Sequence, residues 1–155
     1  MRLTLTVILL LPLSGKASAQ QSSPAAKPVD VIAHYVEYGN IRFRDEKAML
    51  DRWASQFRQV PDSMIYISAY SGRQACPGEA EARARRAKSY LVKRHGIGAD
   101  RVIWKDGGFR ENLSVELWLK GRDERPPEPS PTVDTSEVKF LKGCRPGRRA
   151  ARRKS

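Results

Sequence analysis

The sequence predicts a small α/β protein, a two-layer sandwich with a mixed sheet and the element order β-α-β-α-β-β. Three observations predict this fold class. Residues 45–60 place apolar side chains at helical spacing, residues 64–70 are almost entirely apolar, and residues 113–120 alternate strictly between apolar and polar. Such spacings are those of an amphipathic helix and of a half-buried strand. Helices that follow the first two strands imply right-handed crossovers onto one sheet.

Residues 30–38 open the predicted fold as a strand, because they are rich in β-branched and aromatic side chains. A helix over residues 45–60 follows. Asp45 is its candidate N-cap, and Pro61 marks its stop. The apolar stripe of this helix is formed by Leu50, Trp53, Ala54 and Phe57.

Residues 64–70 are predicted to be a central strand buried on both faces, since few polar residues interrupt them. A second helix over residues 78–95 comes next, and Gly96 is suited to end it. Small residues in its core stripe allow this helix to lie close to a sheet. The stripe is formed by Ala80, Ala84, Ala87 and Leu91.

Three further strands are predicted after the second helix. Residues 101–105 predict a short strand, and the pair Gly107-Gly108 predicts the turn after it. The alternation in residues 113–120 predicts a strand with one apolar and one polar face. Residues 137–141 are a candidate for one more short strand.

The amino-terminal residues have the composition of an export signal. A basic start is followed by an apolar run over residues 3–13, which is too short to span a bilayer, and by small residues at Ala17 and Ala19. We therefore expect a signal peptide over residues 1–19 and a mature chain in the periplasm or associated with the outer membrane. No later stretch is apolar enough to predict a transmembrane span.

The remainder of the chain divides by composition. A polar linker over residues 20–29 leads into one folded domain over residues 30–121. A Pro-rich linker is expected at residues 122–135, and a short strand with a disordered basic tail at residues 136–155.

The formal net charge of +12 is concentrated at the two ends of the chain. Residues 139–155 contain eight basic residues and no acid, and residues 1–19 contain two more, which leaves +2 for the part between them. A block of like charge is typical of an interaction tail. In an exported protein its expected partners are anionic wall polymers or lipid phosphates, and nucleic acid is not expected.

Cys76 and Cys144 are the two cysteines of the chain. In an oxidising compartment an even pair indicates a disulfide, which here would join the start of the basic tail to the loop before the second helix. Two free thiols, or pairing between chains, are the alternatives that remain open at this point.

No pattern in the sequence indicates an enzyme. His34 and His95 are far apart along the chain, and there is no metal-ligand spacing, phosphate loop, dinucleotide fingerprint or nucleophile elbow. We therefore expect no catalytic residues, no metal and no cofactor.

Four basic residues crowd the middle of the second helix. Arg83 and Arg85 stand four positions after Glu79 and Glu81, so both are expected to be solvated partners of those acids. Arg86 has no acid at these spacings and is a candidate to grip a carboxylate ligand. The alternative for Arg86 is an exposed arginine without a ligand.

Four segments between Val31 and Leu119 follow one another in a characteristic order: GNIRFRDEKAMLDRWA, the apolar strand, RRAKSYLVKRHGIGADRV and NLSVELWL. With them the chain resembles the OmpA-like C-terminal domain family, periplasmic modules that bind peptidoglycan. The predicted element order is also the order of that family. The matching positions are Arg86-Ala87, Gly96-Ile97, Arg101-Val102, Asn112 and Val115-Glu116.

The resemblance implies a ligand site. Arg86 matches the arginine that would grip the ligand's carboxylate, and Asn112 matches a position at the start of the family's last strand. Ser71 and Gly72 stand where the family has a threonine and the aspartate that holds the amino group of diaminopimelate. The aspartate is therefore missing here, and so is an arginine pair of the last strand. The implied ligand residues are Arg86, Ser71 and Asn112.

These features predict a non-enzymatic cell-envelope protein that associates with peptidoglycan or another anionic wall polymer. The alternative is an OmpA-like scaffold that no longer binds the ligand and serves as an interaction module for other envelope proteins. A third hypothesis is a secreted binder of nucleic acid or lipopolysaccharide that acts through residues 145–154.

Overall fold

The computed structural model describes residues 34–144 and Pro146. The predicted signal peptide, the linker over residues 20–29 and most of the basic tail lie outside the described residues. The described part contains six strands and two α-helices. They are β1 (His34–Tyr38), α1 (Phe43–Gln59), β2 (Ser63–Ser71), β3 (Gln74–Ala75), α2 (Glu79–His95), β4 (Val102–Phe109), β5 (Ser114–Gly121) and β6 (Lys139–Phe140).

Four strands form one mixed sheet in the order β1-β5-β2-β4. β5 runs antiparallel to both β1 and β2, whereas β2 and β4 are parallel and are joined through α2. The prediction of a mixed α/β fold with two helices is confirmed. β2 lies in the middle of the sheet and is buried almost throughout, as its apolar sequence predicted.

The main core lies between the sheet and the two helices. Both predicted helical stripes are buried there, against alternate residues of β2 and β5. Alanine dominates the α2 stripe, so the backbone of α2 approaches β2 and β4 closely. The central core residues of the two strands are Ile65, Ile67, Ala69, Val115, Leu117 and Leu119. Burial of apolar surface at about 25 cal/mol per Å² makes this layer the main source of stability.

α1 begins two residues before its predicted start, whereas α2 begins one residue after its predicted start. α1 starts at Phe43, and the predicted N-cap Asp45 lies inside the first turn, where its charge suits the positive end of the helix. α2 follows Gly78, which has a φ of 70°, and its Ala80 amide donates to Ser71 Oγ at 3.1 Å. The Ser71 hydroxyl, which belongs to β2, therefore caps the amino-terminal end of α2. The prediction for Gly96 is confirmed, since it ends α2 with a φ of 66°.

The predicted turn at Gly107-Gly108 is wrong, because β4 continues through both glycines to Phe109. The pairing of β4 with β2 shifts register at this point, between Ala69 and Ser71. Gly107 faces the ring of Tyr70, where an added Cβ would lie 2.8 Å from Cζ, and Gly108 has a φ of 87°. The glycines therefore allow a register irregularity within β4 and do not mark the end of the strand.

The polar face of β5 is less exposed to solvent than its alternating sequence predicted. Ser114 and Glu116 on that face are buried as deeply as much of the core. Residues of the predicted Pro-rich linker contact this side of the sheet: the Ser130 amide donates to the Tyr70 hydroxyl at 3.1 Å, and Val133 forms a bridge with Phe109.

The predicted disulfide between Cys76 and Cys144 is present, with the two Cα atoms 5.8 Å apart and a sequence separation of 68. It ties the end of the described chain to the loop before α2. The predicted last strand exists as β6, which pairs in parallel with β3. Within the described residues no helix has the length and apolar character needed to cross a membrane.

Candidate functional site

A polar cleft of about 620 Å³ lies where three loops meet, at the carboxyl end of β2. We call it the loop cleft. The loops follow β1, β2 and β4, and Leu141, directly after β6, closes one side. The loop cleft is lined by Gly39, Asn40, Gly72, Arg73, Gln74, Cys76, Glu79, Glu111, Asn112, Leu113 and Leu141.

One wall of the loop cleft is a charged clip centred on Arg73. Its Nε donates to Glu111 Oε2 at 2.9 Å, and its Nη1 donates to Glu137 Oε2 at 2.8 Å. The hydrogen bonds from Arg73 hold the pKa of both glutamates below their ordinary value of 4.5. The clip joins the loop before β5 to the segment before β6, so the disulfide and these ion pairs hold the same wall.

At the floor of the loop cleft, the backbone of Gly72 lies close to that of Leu113. A Cβ added at Gly72 would lie 3.1 Å from the backbone nitrogen of Leu113, so only glycine fits there without a shift. Glu79 accepts a hydrogen bond from the Cys76 amide at 3.3 Å and is almost fully buried. Asn112 is exposed at the rim, and its side chain has no hydrogen-bond partner among the described residues.

The three residues that the resemblance implies lie in three different environments. Asn112 lines the loop cleft. Ser71 is buried beside the loop cleft, where its hydroxyl is occupied by the first turn of α2. Arg86 lies further along α2, where it lines a separate depression between the two helices. The fold therefore brings Ser71 and Asn112 to the same end of the sheet and leaves Arg86 outside the loop cleft.

Arg86 has an acidic partner that its own helix does not supply. Its Nη2 donates to Glu46 Oε2 in the first turn of α1, and Tyr38 donates to the other oxygen of Glu46 at 3.0 Å. Glu46 is fully buried, whereas the Arg86 side chain is 23% exposed. Burial, followed by the charge of Glu46, raises the pKa of the Tyr38 hydroxyl. The Arg86 guanidinium is therefore already engaged in an ion pair within the protein.

The prediction that Arg83 is a solvated partner of Glu79 is wrong. Arg83 is only 2% exposed, and its Nη2 donates to Asn40 Oδ1 at 2.7 Å. Burial lowers the pKa of its guanidinium. The matching prediction for Arg85 is confirmed, since this residue is exposed and pairs with Glu81 at 2.8 Å.

The burial of Arg83 could have been predicted from its spacing along α2. It stands three positions after Ala80 and four before Ala87, so it belongs to the helical stripe that faces the core. Its contact with Asn40 links α2 to the loop after β1. Arg83 therefore supports the Asn40 side of the loop cleft from beneath.

A second polar cluster lies on the outer face of the sheet and centres on Arg110. The guanidinium lies 3.6 Å from the centroid of the Tyr70 ring and donates to Glu116 at 2.6 Å and to Ser130 Oγ at 2.7 Å. Tyr70 donates to the second oxygen of Glu116 at 3.0 Å. Each member has a partner, so this cluster fastens the segment around Ser130 to the sheet.

The part of the chain that the structure describes contains no group of three or more His, Cys, Asp or Glu side chains placed to hold a metal ion. His95 contacts Asp51 at 2.8 Å, and the same Asp51 oxygen accepts from Tyr90 at 2.8 Å. These bonds, the one from Tyr90 first, lower the pKa of Asp51. The three side chains join the end of α2 to α1.

No protein-family profile matches this chain, and no curated protein matches it significantly.

Proposed function

We propose that this protein is an exported, non-enzymatic cell-envelope protein whose OmpA-like domain associates with peptidoglycan, or with another acidic wall polymer. The observation that carries the proposal is the loop cleft, an open polar site at the end of the sheet. It offers an amide at Asn112 and acids at Glu79 and Glu111 beside the backbone of Gly72.

The chemistry of the loop cleft suits a short peptide that bears both an amine and a carboxylate. Acidic side chains attract an ammonium group, and amide groups bind a carboxylate or a peptide bond. The peptide stems of peptidoglycan carry these groups. The buried acid of the loop cleft, Glu79, already accepts a hydrogen bond from the Cys76 amide, and this favours binding over catalysis.

The disulfide supports export. Disulfides persist in oxidising compartments such as the periplasm and are rare where thiols are kept reduced. The link between Cys76 and Cys144 agrees with the signal-like composition of residues 1–19. Intact-mass measurement of protein extracted from the envelope tests this directly, and the expected chain starts at Gln20. A cytoplasmic protein that retains Met1 would contradict export.

A second candidate function is a protein-interaction module on the same fold. It is favoured by the use of Ser71 as a helix cap and of Arg86 as the partner of Glu46. Gly72 adds no acid in place of the family's aspartate. In this alternative, the side chains that resemble ligand groups have become structural.

Titration with a soluble muropeptide separates the two functions. Asn112→Ala is the first variant, because Asn112 is exposed and its loss leaves the described contacts intact. If the amide contacts the ligand, affinity falls by about 1 kcal/mol, the usual net value of one hydrogen bond. Arg122→Gln, which removes an exposed side chain at the opposite end of the sheet, is the control and is expected to bind like wild type.

The predicted role of Arg86 needs a variant that spares the fold. Glu46→Gln combined with Arg86→Gln removes both charges and keeps hydrogen-bonding groups in place. A ligand carboxylate gripped by Arg86 predicts a loss of about 1.5–3 kcal/mol in this pair. Absence of muropeptide binding by the wild-type protein would favour an interaction module. Binding that survives in both the Asn112 and the Arg86 variants would show that neither side chain contacts the ligand.

Gly72→Asp tests the missing acid. A carboxylate at this position is expected to strengthen binding of a ligand ammonium. The nearby Leu113 nitrogen, 3.1 Å from the added Cβ, makes some loss of stability part of the expectation. Thermal unfolding of the same sample shows whether a variant that fails to bind is folded.

A further inference from the structure

A second depression lies on the helical side of the protein, between the start of α1 and the middle of α2. We call it the helix groove. It measures about 260 Å³ and is lined by Phe43, Arg86, Ser89, Tyr90, Lys93 and Arg94. None of these residues lines the loop cleft, so the two are separate surfaces.

The helix groove has an aromatic floor. The rings of Phe43 and Tyr90 meet edge to face with their centroids 6.0 Å apart. Tyr90 is held in place by its hydrogen bond to Asp51, and Phe43 is covered on one side by the Arg86 guanidinium at 4.6 Å. Two partly exposed rings fixed in this way form a rigid apolar surface.

Cations surround this floor. The Lys47 amine lies 4.9 Å from the centroid of Phe43 and 5.8 Å from that of Tyr90, and Lys93 is one of the lining residues. Neither lysine has an acidic partner within 4.0 Å among the described residues. The Arg86 charge is offset by Glu46, and the Arg94 charge lies near Asp51. Lys47 and Lys93 therefore carry the uncompensated charge of the helix groove.

We propose that the helix groove binds an acidic sugar residue of an envelope polysaccharide. A pyranose ring has an apolar face that packs on aromatic side chains, and its carboxylate would pair with Lys47 or Lys93. The volume is below the roughly 300–1,000 Å³ of pockets for drug-sized ligands, which fits one ring. This site does not depend on peptide binding in the loop cleft.

Charge and surface composition favour a sugar over a membrane. Surface helices that bind bilayers bury large apolar side chains among the acyl chains. The exposed large hydrophobic residues of the described part are Tyr35 and Phe140, which lie on β1 and β6 and not on the helical face. The helix groove supplies a small platform with two cations, which suits a soluble anionic ring.

The test uses the exported protein with trigalacturonic acid as the probe and a neutral galactose trisaccharide as its uncharged counterpart. Amide shifts in NMR spectra are expected at Phe43, Tyr90 and Lys93 with the acidic probe only. Lys47→Gln and Lys93→Gln are each expected to weaken binding about two- to fivefold, the range for one exposed charge pair.

Arg58→Gln is the matched control, since it removes one exposed charge from the last turn of α1. It reports how much affinity is lost through net charge alone, including binding by the basic tail. Loss in Lys47→Gln and Lys93→Gln beyond that of Arg58→Gln supports the proposal, and equal loss in all three overturns it. Shifts confined to the tail or the loop cleft also overturn it. Binding to vesicles of anionic phospholipid without binding to trigalacturonic acid would assign the surface to a membrane instead.

Discussion

The guanidinium of Arg86 pairs with the buried carboxylate of Glu46, so the middle of α2 is joined to the first turn of α1. Tyr38 of β1 donates to the same carboxylate at 3.0 Å and ties the edge strand into the contact. Removing one partner of a buried ion pair is strongly destabilising, because the remaining charge is left buried without compensation. This contact makes Arg86 part of the fold as well as a candidate ligand residue.

We predict that Arg86→Ala lowers the free energy of unfolding by about 3 kcal/mol, because it leaves the Glu46 charge buried without its cation. Urea unfolding measures the change. Arg85→Ala is the matched control one position away. Its exposed pair with Glu81 and its position 5.1 Å from the Trp104 ring predict a loss below about 1 kcal/mol.

Glu46→Gln with Arg86→Gln provides the companion test. Removing both charges together avoids the buried unpaired acid, so this pair should be more stable than Arg86→Ala alone. If Arg86→Ala and Arg85→Ala unfold at the same urea concentration, the ion pair contributes nothing to stability.

The disulfide between Cys76 and Cys144 is expected to stabilise the protein through the length of chain that it closes. A separation of 68 positions corresponds to about 4 kcal/mol in the chain-entropy account. Dithiothreitol should therefore shift the urea midpoint downwards. Cys76→Ser with Cys144→Ser should show the lower midpoint with or without dithiothreitol. Equal midpoints for oxidised and reduced wild type would contradict this prediction.

Acid should loosen the Arg73 clip before it unfolds the core. The folded-state pKa values of Glu111 and Glu137 lie below 4.5, so their contribution is complete above that pH and is lost as the pH falls through the lowered values. Protection of the Lys139 and Leu141 amides, which donate to Arg73 and Ala75 carbonyls, should drop in this range. Hydrogen exchange from pH 6 to pH 3 measures it.

Arg73→Gln is the control for the clip. Without the arginine, both glutamates should return towards their ordinary pKa, and protection of the Lys139 and Leu141 amides should be low at every pH. The capping contact of Asp134 remains in this variant and contributes its own acid dependence, since hydrogen bonds from Ser136 lower its pKa. An unchanged pH profile in Arg73→Gln would show that the clip does not hold β6.

Gly107→Ala should destabilise the protein by about 2 kcal/mol, within the range for overpacking a filled site. The new methyl would press on Tyr70, whose fully buried ring is also contacted by the Arg110 guanidinium. Gly39→Ala is the control, because its Cβ would meet no atom closer than 3.5 Å. Thermal unfolding compares them, and equal melting temperatures would mean that Tyr70 moves aside freely.

Local pattern was enough to predict the two helices and the four strands of the main sheet. The spacing of Leu50, Trp53 and Phe57 encodes a helix with one buried face, and the run in β2 encodes a central strand, because periodicity along the chain follows directly from backbone geometry. The pairing of Cys76 with Cys144 could also be predicted, because the chain has only two cysteines.

The partners of the charged residues depended on contacts across long separations in sequence. Arg86 has no acid on its own helix, yet the packing of α2 on α1 brings Glu46 to it from 40 positions away. Arg83 likewise donates a hydrogen bond to Asn40, from the loop after β1, instead of pairing with Glu79 on its own helix. Helical spacing identifies only neighbours three and four positions apart on the same helix. It therefore cannot predict a partner that tertiary packing brings from another element. The loop cleft likewise exists only because the sheet order places three distant loops side by side.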